Sequence, residues 1–301
     1  MRESRIALIL TSVLLLGAQA PAPNDSVTVT GQKQREAINA FIKSLAVPNP
    51  LTGTLARWET GICPVTVGVR KEAVQFITAR LKQVAALADA PVDTSPTCKP
   101  NIEIVFTTTP QGLMDNVRRK HQAFLGYADT AAQRDRLAIV ERPIQAWYTT
   151  ATKDLRGSTQ IDSAFSNPVE VVVPDPYRNP PFTTLYVRQG AKTVTGGRLG
   201  DGMRSVLHHV IVVADPTKLV EEEIGSVADY IALVALSQVQ SLDKCQSLSS
   251  IVNLLPQGCE KPAGLTVSDM GYLRGLYHMN AEQMLRGQQD AVAYQMERAG
   301  R

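Results

Sequence analysis

Residues that enzymes commonly use for chemistry are scarce in this chain. Its 301 residues include four histidines and four cysteines, and aromatic residues make up 5%. The sequence has no His-Glu-x-x-His pair, no Gly-x-Ser-x-Gly elbow and no phosphate loop ending in Gly-Lys-Ser or Gly-Lys-Thr. These absences exclude the most recognisable zinc peptidases, α/β-hydrolases and P-loop nucleotide hydrolases.

An excess of charge of one sign is also lacking. The formal net charge is +3, and it falls to +2 when the two arginines and one glutamate of residues 1–20 are left out. Nucleic-acid-binding domains usually carry a pronounced basic surface, so we expect no nucleic-acid partner. The basic run Arg118-Arg119-Lys120-His121 is more typical of a solvated helix face than of a binding patch.

Long hydrophobic runs are missing too. Residues 1–20 are typical of a secretory signal, because a basic start is followed by the mostly apolar residues 6–17 and the cleavage site Ala18-Gln19-Ala20. That apolar run is too short for a stable membrane anchor, and no longer one follows. We therefore expect a mature chain without a membrane span, in the periplasm or outside the cell.

The four cysteines are an even number, as expected for disulfides in an oxidising compartment. Three pairings are possible. We favour Cys63, which opens one predicted strand, with Cys98, which comes just before a second strand predicted to be parallel to it. We also favour Cys245 with Cys259, which close a short loop. The rival interpretation is a four-cysteine zinc site, but the spacings contain no Cys-x-x-Cys knuckle.

Hydrophobic periodicity predicts an α+β protein. Apolar residues recur at helical spacing over 35–46 and 71–88, and strand-like alternation covers 63–69 and 102–107. The strand, long helix and second strand have the length of a parallel crossover. Further predicted elements are a helix at 110–122, strands at 137–141, 144–151, 169–173, 183–189 and 205–214, a turn at 196–202, and helices that begin at Pro216, Ser226, Thr266 and Ala281.

We expect one domain from residue 21 to residue 301. In this prediction a mixed twisted sheet packs on the long helix over residues 21–215, and residues 216–301 form a buried apolar helix followed by a helical C-terminal part. Within that helical part, Ser226-x-x-Asp229 matches a capping box, which favours a capping role for Asp229 over a chemical one.

No metal site is expected from the histidines. His208 and His209 are neighbours on a predicted strand, so their side chains point to opposite faces unless a bulge intervenes. His121 belongs to the basic run, and His278 follows a predicted helix. Each is more typical of a surface or hydrogen-bonded histidine than of a ligand.

The order of several motifs resembles a family of secreted bacterial proteins of unknown function that is grouped with the zincin-like metallopeptidases. In that family an Arg-Trp pair precedes the first strand, as Arg57-Trp58 do here, and the second strand begins with an asparagine, as Asn101 does. A His-Glu helix and an "LT-x-x-D-x-x-x-L-R-x-LY" helix follow. The matching residues of that last motif are Leu265, Thr266, Asp269, Leu273, Arg274, Leu276 and Tyr277.

The chain departs from this family at the metal helix. The overlay places the two histidine ligands of the family on Ala228 and Ala232, and its glutamate on Asp229, which is one methylene shorter. Without imidazole ligands, no zinc and no zinc-bound water are held. The resemblance therefore implies a zincin-like fold with no metal, no cofactor and no catalytic residue.

Three functions remain open at this point. The first is a non-catalytic protein that binds a peptide or protein of the cell envelope in a cleft between sheet and helices, because the edge strand of a zincin sheet receives substrate by strand addition. The second is an active hydrolase that uses His208 or His209 with His278 and an acid such as Asp215 or Asp229. The third is a purely structural envelope protein.

Overall fold

The computed structural model describes residues 31–162, 169–174, 182–187, 202–240 and 242–300. The predicted signal segment lies outside these ranges, as does the predicted turn at 196–202 apart from Gly202. The helices are α1 (Gly31–Leu45), α2 (Lys71–Leu87), α3 (Pro110–Lys120), α4 (Ala131–Leu137), α5 (Ile224–Leu236), α6 (Val267–His278) and α7 (Leu285–Ala299), with 3-10 turns at Gln122–Leu125, Pro216–Lys218 and Ile251–Leu254. The strands are β1 (Pro64–Val67), β2 (Ile102–Phe106), β3 (Ile144–Lys153), β4 (Thr159–Ile161), β5 (Val169–Pro174), β6 (Phe182–Val187) and β7 (Arg204–Ala214).

Five strands form one mixed sheet in the order β1-β2-β7-β3-β4. Strands β1, β2 and β7 are parallel, β3 runs antiparallel to β7, and β4 runs antiparallel to β3. Strands β5 and β6 pair only with each other in the described chain. The mixed α+β class and the β1-α2-β2 parallel crossover are thus confirmed.

Alternate residues of β7 belong to two different hydrophobic cores. Val210 and Val212 pack in a larger core with α2 and α5, whereas Ile211 and Val213 pack in a smaller core below α3. Because successive side chains of a strand point to opposite faces, the two cores cover opposite faces of the sheet. Both faces near β7 are covered, as its apolar sequence requires.

Helix α5 is the most deeply buried helix segment of the described chain. All residues from Ser226 to Leu236 are buried. The helix begins at Ile224, with Glu223 in the N-cap position, so the predicted start at Ser226 is wrong. The Ser226 hydroxyl instead donates to the carbonyl oxygen of Ala263 at 2.9 Å, which ties the first turn of α5 to the chain that leads into α6.

The predicted strand at 137–141 is also wrong, because α4 occupies residues up to Leu137 and no strand follows until β3. The cause is local. The Thr130 hydroxyl accepts from Gln133 N, and the Gln133 side chain accepts in return from Thr130 N. This capping box starts a short helix and places the apolar Leu137 in its last turn.

Two disulfides join the pairs that the sequence favoured. Cys63–Cys98 links the residues that precede β1 and β2, whose starts lie side by side in the parallel register. Cys245–Cys259 closes a loop between α5 and α6. Both are compatible with a secreted protein. No helix among the described residues is long and apolar enough to cross a membrane.

Candidate functional site

The two positions that the family overlay assigns to metal ligands are fully buried. Ala228 and Ala232 have no exposed surface. The Asp229 carboxylate accepts from the Arg80 guanidinium, at 2.5 Å from Nε and 3.1 Å from Nη2, and from Leu265 N at 2.9 Å. The hydrogen bond to Asp229 raises the pKa of Arg80. Asp229 is therefore a structural anion, not the capping partner of Ser226.

The larger core encloses the side chains of Ala228 and Ala232, so no cleft reaches these two positions. Among the residues described, no group of three or more histidine, cysteine, aspartate or glutamate side chains could hold a metal ion. His278 pairs with Asp89 at 2.9 Å on the surface, and the Asp215 carboxylate accepts from Thr217 N. His278, Asp215 and Asp229 of the hydrolase interpretation are thus engaged in separate pairings.

The neighbours His208 and His209 lie at a β-bulge. Thr149 pairs with His209 and Thr150 pairs with Leu207, so His208 is an extra residue on β7. The bulge changes the alternation of the strand, and Leu207 and Val210 both face the larger core. The simple opposite-face prediction for the two histidines therefore does not apply.

His209 is buried on the side of the smaller core. Its Nε2 atom lies 3.3 Å from Glu103 Oε1, and its ring stacks on Phe124 with the ring centres 4.5 Å apart. Its Nδ1 atom is buried and has no hydrogen-bond partner in the described chain. Burial lowers the pKa of His209, and the nearby Glu103 carboxylate opposes that effect.

Residues that carry the family resemblance bind backbone groups. The Arg57 guanidinium donates to the carbonyl oxygens of Tyr277 at 2.6 Å and Met279 at 2.8 Å, which closes the end of α6. The Asn101 side chain accepts from Cys63 N at 2.7 Å and donates to the carbonyl oxygen of Gly61 at 3.0 Å. Both side chains serve the scaffold by satisfying buried or half-buried backbone groups.

Side-chain hydrogen bonds to backbone groups also hold the start of α6. Thr266 and Asp269 form the capping box that the sequence predicted. The buried Asp269 carboxylate also accepts from Ser250 Oγ and Ile251 N, which fixes the loop that follows α5. Burial raises the pKa of Asp269, although these hydrogen bonds act in the opposite direction. Arg274 donates to the carbonyl oxygen of Leu87 at the end of α2.

The buried C-terminal end of α5 has every one of its last four carbonyl groups bonded by a side chain. A helix leaves the carbonyls at this end short of intrahelical partners, and water does not reach them here. Of the four, Leu233 O also accepts from the backbone, from Ser237 N at 3.1 Å. The donors are the Ser237 hydroxyl to Leu233, the Tyr148 hydroxyl to Val234, the Trp58 indole to Ala235 and the Tyr277 hydroxyl to Leu236.

The outer edge of β3 is a different kind of feature, because it offers unpaired backbone groups. Strand β4 pairs with β3 only over Ala151–Lys153, with one further bond from Asp162 N to Thr150 O. On the opposite side, Asp215 N donates to Pro143 O, so odd-numbered residues of β3 face β7. The alternation of an antiparallel ladder then directs the backbone groups of even-numbered residues outward.

Ala146 and Tyr148 are the half-exposed members of this outward set. No backbone group in the described chain pairs with their N–H groups or with the Ala146 carbonyl. They lie in a groove of about 290 Å³. One wall carries Leu125, Leu137 and Trp147, and Gln238 lies in the groove as well.

Gly126 closes one end of the groove. Its φ of +95° is unfavourable for other residues, and a Cβ atom there would lie 2.6 Å from the carbonyl oxygen of Tyr148. Glycine thus allows the 3-10 turn to approach the strand edge. The sequence predicted β3, but it contained no signal that this edge stays open, because edge position depends on which strands pair at a distance.

No family model, no curated protein and no solved structure matches this chain. Neither these comparisons nor the structure tests the zincin-like grouping, which stays a prediction from the order of the motifs.

Proposed function

We propose that the chain is a secreted, zincin-like protein without metal or peptidase activity that binds an extended peptide segment of a cell-envelope partner along the outer edge of β3. The observation that carries this proposal is the row of outward backbone groups at Ala146 and Tyr148 inside a groove. An extended peptide supplies both donors and acceptors at the spacing of such an edge, which is the basis of recognition by strand addition.

The position of the edge favours a continuation of the sheet. Strand β4 already occupies the same edge of β3 over Ala151–Lys153 and runs antiparallel to it. A bound segment would lie in line with β4 and complete the sheet beside Ala146. Side-chain pockets on either side of the sheet would then supply specificity, as alternate residues of the segment face opposite walls.

The absence of catalysis is supported by the state of α5. Ala228 and Ala232 provide no ligand atoms, and Asp229 is bound to Arg80. We expect far less than one zinc ion per chain when protein isolated from the periplasm, without a histidine tag or chelator, is analysed by mass spectrometry. Stoichiometric zinc would contradict the proposal and would make His208, His209 and His278 the first residues to substitute.

Peptide binding is tested with a positional-scanning library of fluorescein-labelled heptapeptides against the oxidised protein. The best binder is then N-methylated at one backbone nitrogen at a time. Strand addition predicts that affinity is lost at every second nitrogen only, because alternate N–H groups face β3. Ala146→Pro should also abolish binding while the protein stays folded, since the lost N–H points away from the β3–β7 ladder.

Two controls separate this mode of binding from others. Ala146→Val keeps the backbone N–H and should keep binding. Near-UV circular dichroism of both variants checks that the Trp147 environment is unchanged. If no heptapeptide binds, or if N-methylation shows no period of two, the proposal of binding along this edge is wrong. A purely structural role in the cell envelope would then be favoured.

A further inference from the structure

Gln238 lies beside the proposed peptide site and carries an unpaired side-chain acceptor. Its side-chain oxygen Oε1 is buried and accepts no hydrogen bond in the described chain, and the residue lines the groove beside β3. A buried acceptor without a donor is unfavourable, and folded proteins retain few of them. Gln238 lines the groove, so a turn of its side chain would bring this acceptor to a donor that arrives with a ligand.

The backbone around Gln238 is held in place. Its carbonyl oxygen accepts from Val47 N at 3.3 Å, and two residues on, Gln240 N donates to the carbonyl oxygen of Leu45 at 2.9 Å. The segment is thus fixed to the end of α1, directly after the buried end of α5. The side-chain oxygen is presented from a fixed backbone and not from a free loop.

The two sides of the groove differ in chemistry. Trp147 belongs to the smaller core, and its indole donates to the carbonyl oxygen of Leu137 at 2.6 Å, which fixes an apolar wall. The next residue, Tyr148, packs against the larger core, and its hydroxyl is bonded to Val234 at the end of α5. Gln238 follows α5 closely in the chain, which places it on the Tyr148 side.

We propose that Gln238 is a specificity-determining residue that accepts a hydrogen bond from a donor side chain of the bound segment. This inference rests on the proposed strand addition. An extended segment beside Ala146 presents successive side chains to the two sides. The preferred ligand therefore has a residue with an O–H or N–H donor, such as threonine or asparagine, and apolar residues at the adjacent positions that face Leu137 and Trp147.

The test compares threonine with valine, which has the same shape but no donor, at each position of the best-binding heptapeptide. We expect threonine to bind about tenfold more tightly at one position, because replacing it with valine leaves a buried acceptor unpaired. In Gln238→Met this preference should disappear at that position, while the preference for apolar residues at the adjacent positions stays.

Gln240→Met is the matched control, since Gln240 lies on the same segment but does not line the groove. It should keep the threonine preference. A peptide that binds with a period-two N-methylation pattern but shows equal affinity for threonine and valine at every position would refute the role of Gln238 and leave strand addition intact. A preference that survives in Gln238→Met would refute it too. If no peptide binds, both proposals fall together.

Discussion

At the scale of single residues, the acid that the family overlay places at a catalytic position makes bonds to other parts of the fold. Asp229 takes the place of a general base in the family overlay, but its carboxylate neutralises Arg80 and accepts from the backbone of Leu265. Asp229 is the buried partner of this pair, so removing Arg80 would leave a buried carboxylate without its counter-charge. The pair joins α5 to α2.

At the same scale, the burial of His209 leads to a prediction about the pH dependence of stability. Burial lowers its pKa, so the folded protein binds a proton at His209 less readily than the unfolded chain, in which a histidine has a pKa of about 6.5. The His209 contribution to stability is therefore complete above about pH 6.5 and is lost as the pH falls below that value. The loss ends once the pH is below the folded-state pKa, where both states are protonated.

We expect the free energy of unfolding in urea to decrease between pH 7.5 and pH 5, and His209→Gln to reduce that decrease. His278→Gln is the control, because His278 is an exposed histidine on α6 that is paired with Asp89. The assignment to His209 is wrong if His209→Gln keeps the wild-type pH dependence, or if His278→Gln removes it.

At the scale of elements, the end of α5 depends on aromatic donors that come from three distant parts of the chain. Trp58, Tyr148 and Tyr277 each bond one carbonyl group in a region closed to water. A donor lost from such a site leaves the carbonyl desolvated and unpaired. The same helix carries Tyr230, whose buried hydroxyl has no hydrogen-bond partner among the described residues.

Tyr277→Phe should therefore lower the free energy of unfolding by about 1–3 kcal/mol, since the Leu236 carbonyl becomes a buried unpaired acceptor. Tyr230→Phe removes a hydroxyl of the same type that makes no bond within the described part of the chain, and it should be neutral or slightly stabilising. Urea unfolding of both variants gives the comparison. Equal destabilisation by the two substitutions would show that loss of packing, and not the hydrogen bond, determines the effect.

The same elements show how far the sequence predicted the fold. The β1-α2-β2 unit, β7 and the Thr266 start of α6 carry signals within a few residues, and all were predicted close to their observed bounds. The strand at 137–141 was wrong because the capping box at Thr130 outweighed the apolar residues that follow it. The open edge of β3 was not predicted, since it depends on where β4 stops pairing.

At the scale of the whole molecule, several side-chain bonds connect the sheet half of the chain with the helical half. Arg57 and Trp58 bond the ends of α6 and α5, and Arg80 binds Asp229. These contacts join residues more than 100 positions apart, and Arg57, Trp58 and Tyr277 are among the residues that carry the family resemblance. The proposed groove lies on the far side of the sheet from β1, with β2 and β7 between them.

The two disulfides should therefore affect stability and ligand binding differently. Replacing Cys63 and Cys98 with alanine opens a loop of 35 residues and should lower the free energy of unfolding by about 4 kcal/mol, whereas opening the 14-residue loop between Cys245 and Cys259 should lower it by about 3 kcal/mol. Guanidinium unfolding of the two double variants measures both values.

Below their unfolding transitions, both variants should bind the best heptapeptide with wild-type affinity, because neither bridge contacts the β3 edge. A loss of binding in the folded Cys63/Cys98 variant alone would instead locate the peptide site at β1, the opposite edge of the sheet.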